Sequence, residues 1–176
     1  MNREESGRPM RRAGREIVDR AALDEILRSA QILYLAMRDE PAPYVIPVCF
    51  GFEADTVYVH SALAGTKIDM IRSHPVVGFS ACTDMTVVSG PSACDCTSAA
   101  MSVVGTGRAR IVEDENERLR GLDAIMSHYG SGEPGRNTYR PGPLSRTCVI
   151  AIAIDTLRGK STTGTDTPAS APARSE

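Results

Sequence analysis

The sequence predicts a mainly β protein: six antiparallel strands rolled into a small barrel, with helices flanking them. Three observations predict it. Thr56–His60 alternates, with Val57 and Val59 to one side and Tyr58 and His60 to the other. Thr147–Asp155 alternates as cleanly, with Cys148, Ile150, Ile152 and Ile154 on one face. Strand-length apolar segments also follow one another across short turns, without the regular interposed helices of a βαβ chain. Such a sheet is antiparallel and closes on itself.

The elements follow in order. Residues 1–16 are rich in Arg, Glu and Gly and read as a flexible arm. Asp19 can cap a helix whose Leu23, Ile26, Leu27 and Ala30 form one apolar stripe. Ile32–Met37 is a first strand, and Asp39–Pro43 a turn with two prolines. Tyr44–Phe52 is a second strand, whose Pro47 assigns it to an edge or a bulge. Ala54-Asp55 turns into the third strand. A short helix with Ile68 and Ile71 follows, and Pro75 stops it, forcing His74 toward extended backbone. Val76–Cys82 is the fourth strand. Thr83–Ala100 reads as strand, loop and the start of another strand. Met101–Val112 is a long strand, where Gly105 and Gly107 imply a bulge or a close approach. Asp114 and Glu117 open an amphipathic helix carrying Leu119, Leu122, Ile125, Met126 and Tyr129. Residues 130–146 read as an irregular loop before the last strand. Residues 17–160 thus make one domain, and 161–176, rich in Ser, Thr, Pro and Ala, a disordered tail.

Composition excludes several classes. Over 176 residues the net charge is −2, with no basic stripe for nucleic acid. Aromatics are 5% and Trp is absent, so stacking platforms are lacking. No apolar run approaches the ~20 residues of a membrane helix. The charged start, MNREESGRPMRR, has no apolar signal core, and five cysteines without framework spacing fit a reducing cytoplasm.

The chemistry concentrates between Thr56 and His74. A strand ends at His60, and Ser61, Gly65, Thr66 and Lys67 lead into a helix. Backbone N–H groups, two hydroxyls and an ammonium converge there, as at an anion site. A cation in the first helical turn costs ~0.3–1 kcal/mol, which a bound phosphate would reverse. The other reading is a surface lysine after an ordinary turn, and position alone fits His60 equally to a half-exposed barrel histidine. Cys94 and Cys96 lack zinc-knuckle spacing and a second pair, so they read as small buried residues, with no metal site. Gly105 and Gly107 lack the third glycine of a dinucleotide fingerprint. His128, near a helix end, reads as structural. A phosphate site without a catalytic constellation suggests that a cofactor carries the chemistry.

Several blocks carry a family resemblance: Met10-Arg11-Arg12 with Arg15-Glu16; Tyr44-Val45-Ile46-Pro47-Val48 with Phe50-Gly51; His60-Ser61-Ala62 through Gly65 to Lys67-Ile68-Asp69; Ala93-Cys94-Asp95; Ser102-Val103-Val104-Gly105 with Gly107; His128-Tyr129; and Gly159-Lys160. From Met10 to Lys160 the chain resembles the nitroimidazole-resistance proteins, within the pyridoxamine 5′-phosphate oxidase-like FMN-binding split barrels. The resemblance implies a homodimer of six-stranded split β-barrels with FMN at the subunit interface. It implies reduction of nitro groups, such as those of 5-nitroimidazoles, by hydride from reduced flavin. His60, Ser61, Ala62, Gly65, Thr66 and Lys67 would then meet the flavin's phosphate and ring, with His60 the proton donor. Val48, Cys49 and Phe50 would lie along the isoalloxazine.

The chain departs from that pattern at Cys49, where Asn is expected, at Cys96, where an aromatic is expected, and at Met101, where Arg is expected. Two other functions sit on the same barrel: a non-catalytic flavin- or haem-binding module, and a pyridoxamine 5′-phosphate oxidase-like enzyme.

Overall fold

The computed structural model describes residues 9–131 and 136–162. Its strands, all antiparallel, are β1 (Glu16–Ile17), β2 (Leu33–Met37), β3 (Tyr44–Val48), β4 (Gly51–Glu53), β5 (Thr56–Ala62), β6 (Val76–Cys82), β7 (Thr86–Val88), β8 (Thr97–Ala99), β9 (Met101–Ile111) and β10 (Thr147–Ser161). The helices used below are α1 (Arg20–Ser29), α2 (Thr66–Ser73) and α3 (Glu115–His128).

One curled sheet runs β3-β2-β6-β9-β10-β5-β4, with β1 added to the far end of β10. The two ends of that path, β3 and β4, are consecutive in the chain and only Cys49 and Phe50 separate them. The predicted strand Tyr44–Phe52 is therefore one segment bent at a corner, pairing with β2 before the bend and β5 after it. Counted that way, six strands form the barrel. Pro47 lies on the outward side of β3, where the ladder has no neighbour beyond it.

The inward positions alternate as read from the sequence. Val57 and Val59 of β5 face Ile150, Ile152 and Ile154 of β10, and Leu33, Leu35, Val77, Phe79 and Val103 complete the interior. Helix α1 is capped by Asp19, whose carboxylate accepts from Ala22 N–H at 2.9 Å, and inserts Leu23, Ile26 and Leu27 into this core. Helix α3 is capped by Asp114 through Glu117 N–H at 2.7 Å. It packs on the outside, covering Tyr58, Val149 and Ala151 with Leu122 and Ile125. Its Gly121 lies directly on Tyr58, whose ring a Cβ would approach to 2.8 Å. The outer face of β3, β2, β6 and β9 is bare: Val45, Tyr34, Val76 and Val104 are 52–61% exposed.

Gly105 and Gly107 both mark close approaches. A Cβ on Gly105 would lie 2.3 Å from the Phe79 ring, and one on Gly107 2.4 Å from the Ala153 carbonyl. The bulge itself is on the partner strand, where the register shifts between Ile154 and Thr156. That shift lets β10 continue past Asp155 to Ser161.

Thr83–Ala100 holds strand, loop and strand as read, and the two strands, β7 and β8, pair as a separate ribbon. Two expectations are corrected. Cys94 and Cys96 are exposed, because they lie on the turn of this ribbon with no layer over it. The expected boundaries at 16 and 161 fall inside pairing: Glu16 pairs with Lys160 and binds Arg158 at 2.7 Å. Ser161 pairs with Met101, and Thr162 N–H donates to Ala100 O at 2.9 Å. The rest of the expected tail and residues 1–8 of the expected arm lie outside the described residues.

Candidate functional site

The end of β5 and the start of α2 form one continuous edge. In the β5–β10 ladder His60 pairs with Val149, Ser61 with Cys148 and Ala62 with Thr147. His60 is on the outer face with Tyr58, but beyond the cover of α3, so it is exposed where Tyr58 is buried. The chain then turns at Gly65, whose φ of 128° and ψ of 169° suit a residue without a Cβ. No side chain caps the helix that follows. The Gly65 carbonyl accepts from Ile68 N–H at 2.8 Å and Asp69 N–H at 3.1 Å. The N–H groups of Thr66 and Lys67 have no backbone acceptor among the described residues, leaving two donors at the positive end of α2.

Lys67 is half-buried beside them. Burial pushes its pKa below the usual lysine value, and the neighbouring Cys148 thiol partly offsets this. It forms no ion pair among the described residues. Cys148, 6% exposed, donates its thiol hydrogen to Ala62 O at 3.1 Å. Burial raises the pKa of that thiol, while its own backbone, Lys67 and Arg72 pull it down. The second side of Thr66 opens on a groove of about 450 Å³ that carries Arg38 and His74 beside Asp39, Glu40 and Asp69. Its charges are mixed, whereas Lys67 stands at the helix start without a carboxylate partner among the described residues, so the Lys67 side suits a phosphate better.

The strand expected along the flavin divides. Val48 is 9% and Phe50 0% exposed, both inside the barrel core. Alternation turns their side chains inward, so a ligand outside the barrel would meet the backbone of this stretch. Cys49 between them is exposed. It lies two residues before the Gly51–Tyr58 pair, beyond the end of the β4–β5 ladder. His60, Ser61, Ala62, Gly65, Thr66 and Lys67 follow one another along the edge from β5 into α2. Of the departures, Cys96 donates to Ser92 O at 3.5 Å within the ribbon turn, and Met101 is 40% exposed at the start of β9.

Sequence reasoning missed the fastening of the corner. The Tyr129 hydroxyl accepts from Phe50 N–H at 3.2 Å and donates to Gln31 O at 2.8 Å. His128 Nε2 lies 2.8 Å from Ala30 O, and its ring packs on Phe50 at 4.3 Å between centroids. These two contacts of His128 hold the end of α3 against the barrel. The available signal was a His-Tyr pair ending an amphipathic helix, with the tyrosine on the apolar stripe.

Among the described residues no cluster of three or more His, Cys, Asp or Glu could hold a metal ion, and no helix is long and apolar enough to cross a membrane. Among solved structures, a candidate 5-nitroimidazole antibiotic resistance protein from Bacteroides thetaiotaomicron is 28% identical, covering 82% of this chain and 85% of its own, with a TM-score of 0.72. A flavocytochrome from Azotobacter vinelandii (23% identical, 88% and 72% covered, TM-score 0.76) shares the fold. So does a FAD- and haem-binding protein from Mycobacterium smegmatis (20% identical, 85% and 74% covered, TM-score 0.74). No curated protein matches. Residues 19–161, nearly the whole described barrel, match the family described as pyridoxamine 5′-phosphate oxidase, and the chain belongs to that family.

Proposed function

We propose that this protein is an FMN-dependent oxidoreductase that reduces nitro groups, with 5-nitroimidazoles as the substrate class, and that it works as a homodimer. The observation that carries the reading is Lys67: a half-buried ammonium without a carboxylate partner among the described residues, at an uncapped helix start. That arrangement is unfavourable until an anion arrives. Two free N–H groups, the Thr66 hydroxyl and Lys67 fit a phosphate, and the missing side chain at Gly65 leaves the approach open. The 28% identical neighbour described as a candidate 5-nitroimidazole resistance protein supports the substrate class.

Bound FMN would supply two-electron hydride chemistry. The chain's own residues do the rest. Lys67 and the α2 N-terminus hold the phosphate, and the Cys49–Phe50 corner offers backbone and one thiol beside it. His60, exposed at the strand end, would donate a hydrogen bond or proton to oxygen that gains charge during reduction. The bare apolar face of β3, β2, β6 and β9 supports the homodimer, since apolar surface of this kind is what a second subunit covers.

The test is the absorption spectrum of the purified protein and an FMN titration, followed by turnover of a nitroaromatic with a chemical reductant. Flavin bands and FMN release on denaturation are expected. A colourless protein that takes up no FMN refutes the reading, and a Soret band would favour the haem-binding module instead. Turnover of pyridoxamine 5′-phosphate would move the activity to the oxidase.

A further inference from the structure

We infer that Tyr129 is a positioning residue for the flavin, acting through the backbone of the Cys49–Phe50 corner; this rests on the flavin reading above. The corner is where the barrel closes, and neither residue belongs to a strand. Phe50 anchors it inward, fully buried. Its N–H would otherwise end without an acceptor, and the Tyr129 hydroxyl supplies one at 3.2 Å. The same hydroxyl donates to Gln31 O at 2.8 Å, immediately before β2, the strand that β3 pairs with. One oxygen therefore ties the end of α3, the approach to β2 and the bend between β3 and β4.

The Cys49 thiol is a further neighbour of that oxygen. Burial raises the phenol's pKa, so the hydroxyl keeps its proton at neutral pH and can donate and accept at once. His128, one residue earlier, holds the same helix end to Ala30 O. Tyr129 has the more specific role, because its contact is with corner backbone, whereas His128 packs on a core ring. A bend held by one donor–acceptor relay has a defined outward direction for Cys49. Without the relay, Phe50 still fills the core but the bend can rotate about it.

The experiment compares Tyr129→Phe with Ile125→Val. The first removes only the hydroxyl. The second trims the packing of α3 on the barrel but leaves the hydroxyl and both backbone groups it binds in place. FMN affinity, melting temperature and the visible circular dichroism of bound flavin are measured on both and on the unaltered chain. Tyr129→Phe should weaken FMN binding roughly tenfold, the worth of one hydrogen bond, and change the flavin dichroism at saturation. Ile125→Val should lower the melting temperature while leaving affinity within twofold and the dichroism unchanged. Tyr129→Phe with unaltered affinity and dichroism overturns the inference alone. Equal losses of affinity in both variants overturn it too, since the effect then follows stability. An unaltered chain that binds no FMN overturns the flavin reading and this inference together.

Discussion

Lys67→Met should move stability and ligand binding in opposite directions. Methionine keeps the aliphatic stem that packs beside Cys148 and deletes the charge. In the ligand-free protein the ammonium sits at the positive end of α2, half-buried, with no carboxylate against it. A cation so placed costs about 0.3–1 kcal/mol. Removing it should raise the ligand-free melting temperature by about 1–4 °C in a chain of this size. With FMN the sign reverses. Loss of a charge-assisted contact to phosphate, ~1.5–3 kcal/mol, weakens binding roughly 10- to 150-fold. Because the ammonium is only half-buried, the deficit should be larger at low salt.

A pH dependence follows. Folding lowers the Lys67 pKa, so above that lowered value the unfolded chain binds more protons than the folded one. The penalty on the folded state is full below the lowered pKa and fades as pH rises toward 10.5, the ordinary lysine value. Ligand-free protein should therefore gain stability on that alkaline limb, and the gain should be missing in Lys67→Met. Differential scanning fluorimetry with and without FMN, and fluorescence titration at two salt concentrations, measure all of this. A variant whose ligand-free melting point falls while its FMN affinity stays put would refute the reasoning and return Lys67 to an ordinary surface lysine.

His60→Ala should retain FMN and lose nitroreduction ~10²–10⁴-fold, the range for a general acid; flavin loss in step with activity would make His60 a packing residue. Val104→Lys places a charge on the bare outer face without touching the interior, and light scattering should then report monomer. A persistent dimer would put the interface elsewhere. Gly51→Ala drives a Cβ to 2.4 Å from the Ala124 carbonyl carbon of α3, which is backbone and cannot yield cheaply. The expected loss is about 2 kcal/mol or more, or roughly 4–8 °C by calorimetry, and an unchanged melting point would mean that α3 sits farther from β4.

Local chemistry made much of this fold legible. Asp19 and Asp114 cap helices as their positions suggest, and Ala54 and Asp55 take the positive φ values, 45° and 66°, of a two-residue hairpin. Alternation sorted Val57 and Val59 from Tyr58, and Ile150 and Ile152 from Val149. The turn into α2 was readable because Gly65, Thr66 and Lys67 are contiguous and open the helix. What stayed hidden depends on contacts distant in sequence. Nothing near Phe50 announces that Tyr129, 79 residues on, accepts its N–H. The bend at Cys49 is invisible because Tyr44–Phe52 reads as one apolar run, and strands are recognised by period rather than by partner. Cys94 and Cys96 were misplaced for a related reason: a small side chain fits a core as well as a ribbon turn, and only topology decides.

The place of β10 bears on how the chain is made. β10, the last of the described strands, lies in the middle of the sheet, between β9 and β5. Until it leaves the ribosome, β5 and β9 each present an unpaired edge, and the emerging chain is an open, sticky half-shell. The barrel therefore closes only once β10 has emerged, by insertion of a strand rather than growth at a margin, with long-range pairings such as Lys160 to Glu16 joined late. A stop codon before Thr147 would not yield a shorter barrel. It would yield a chain that pairs with its neighbours, and aggregation rather than lost activity would be its first phenotype.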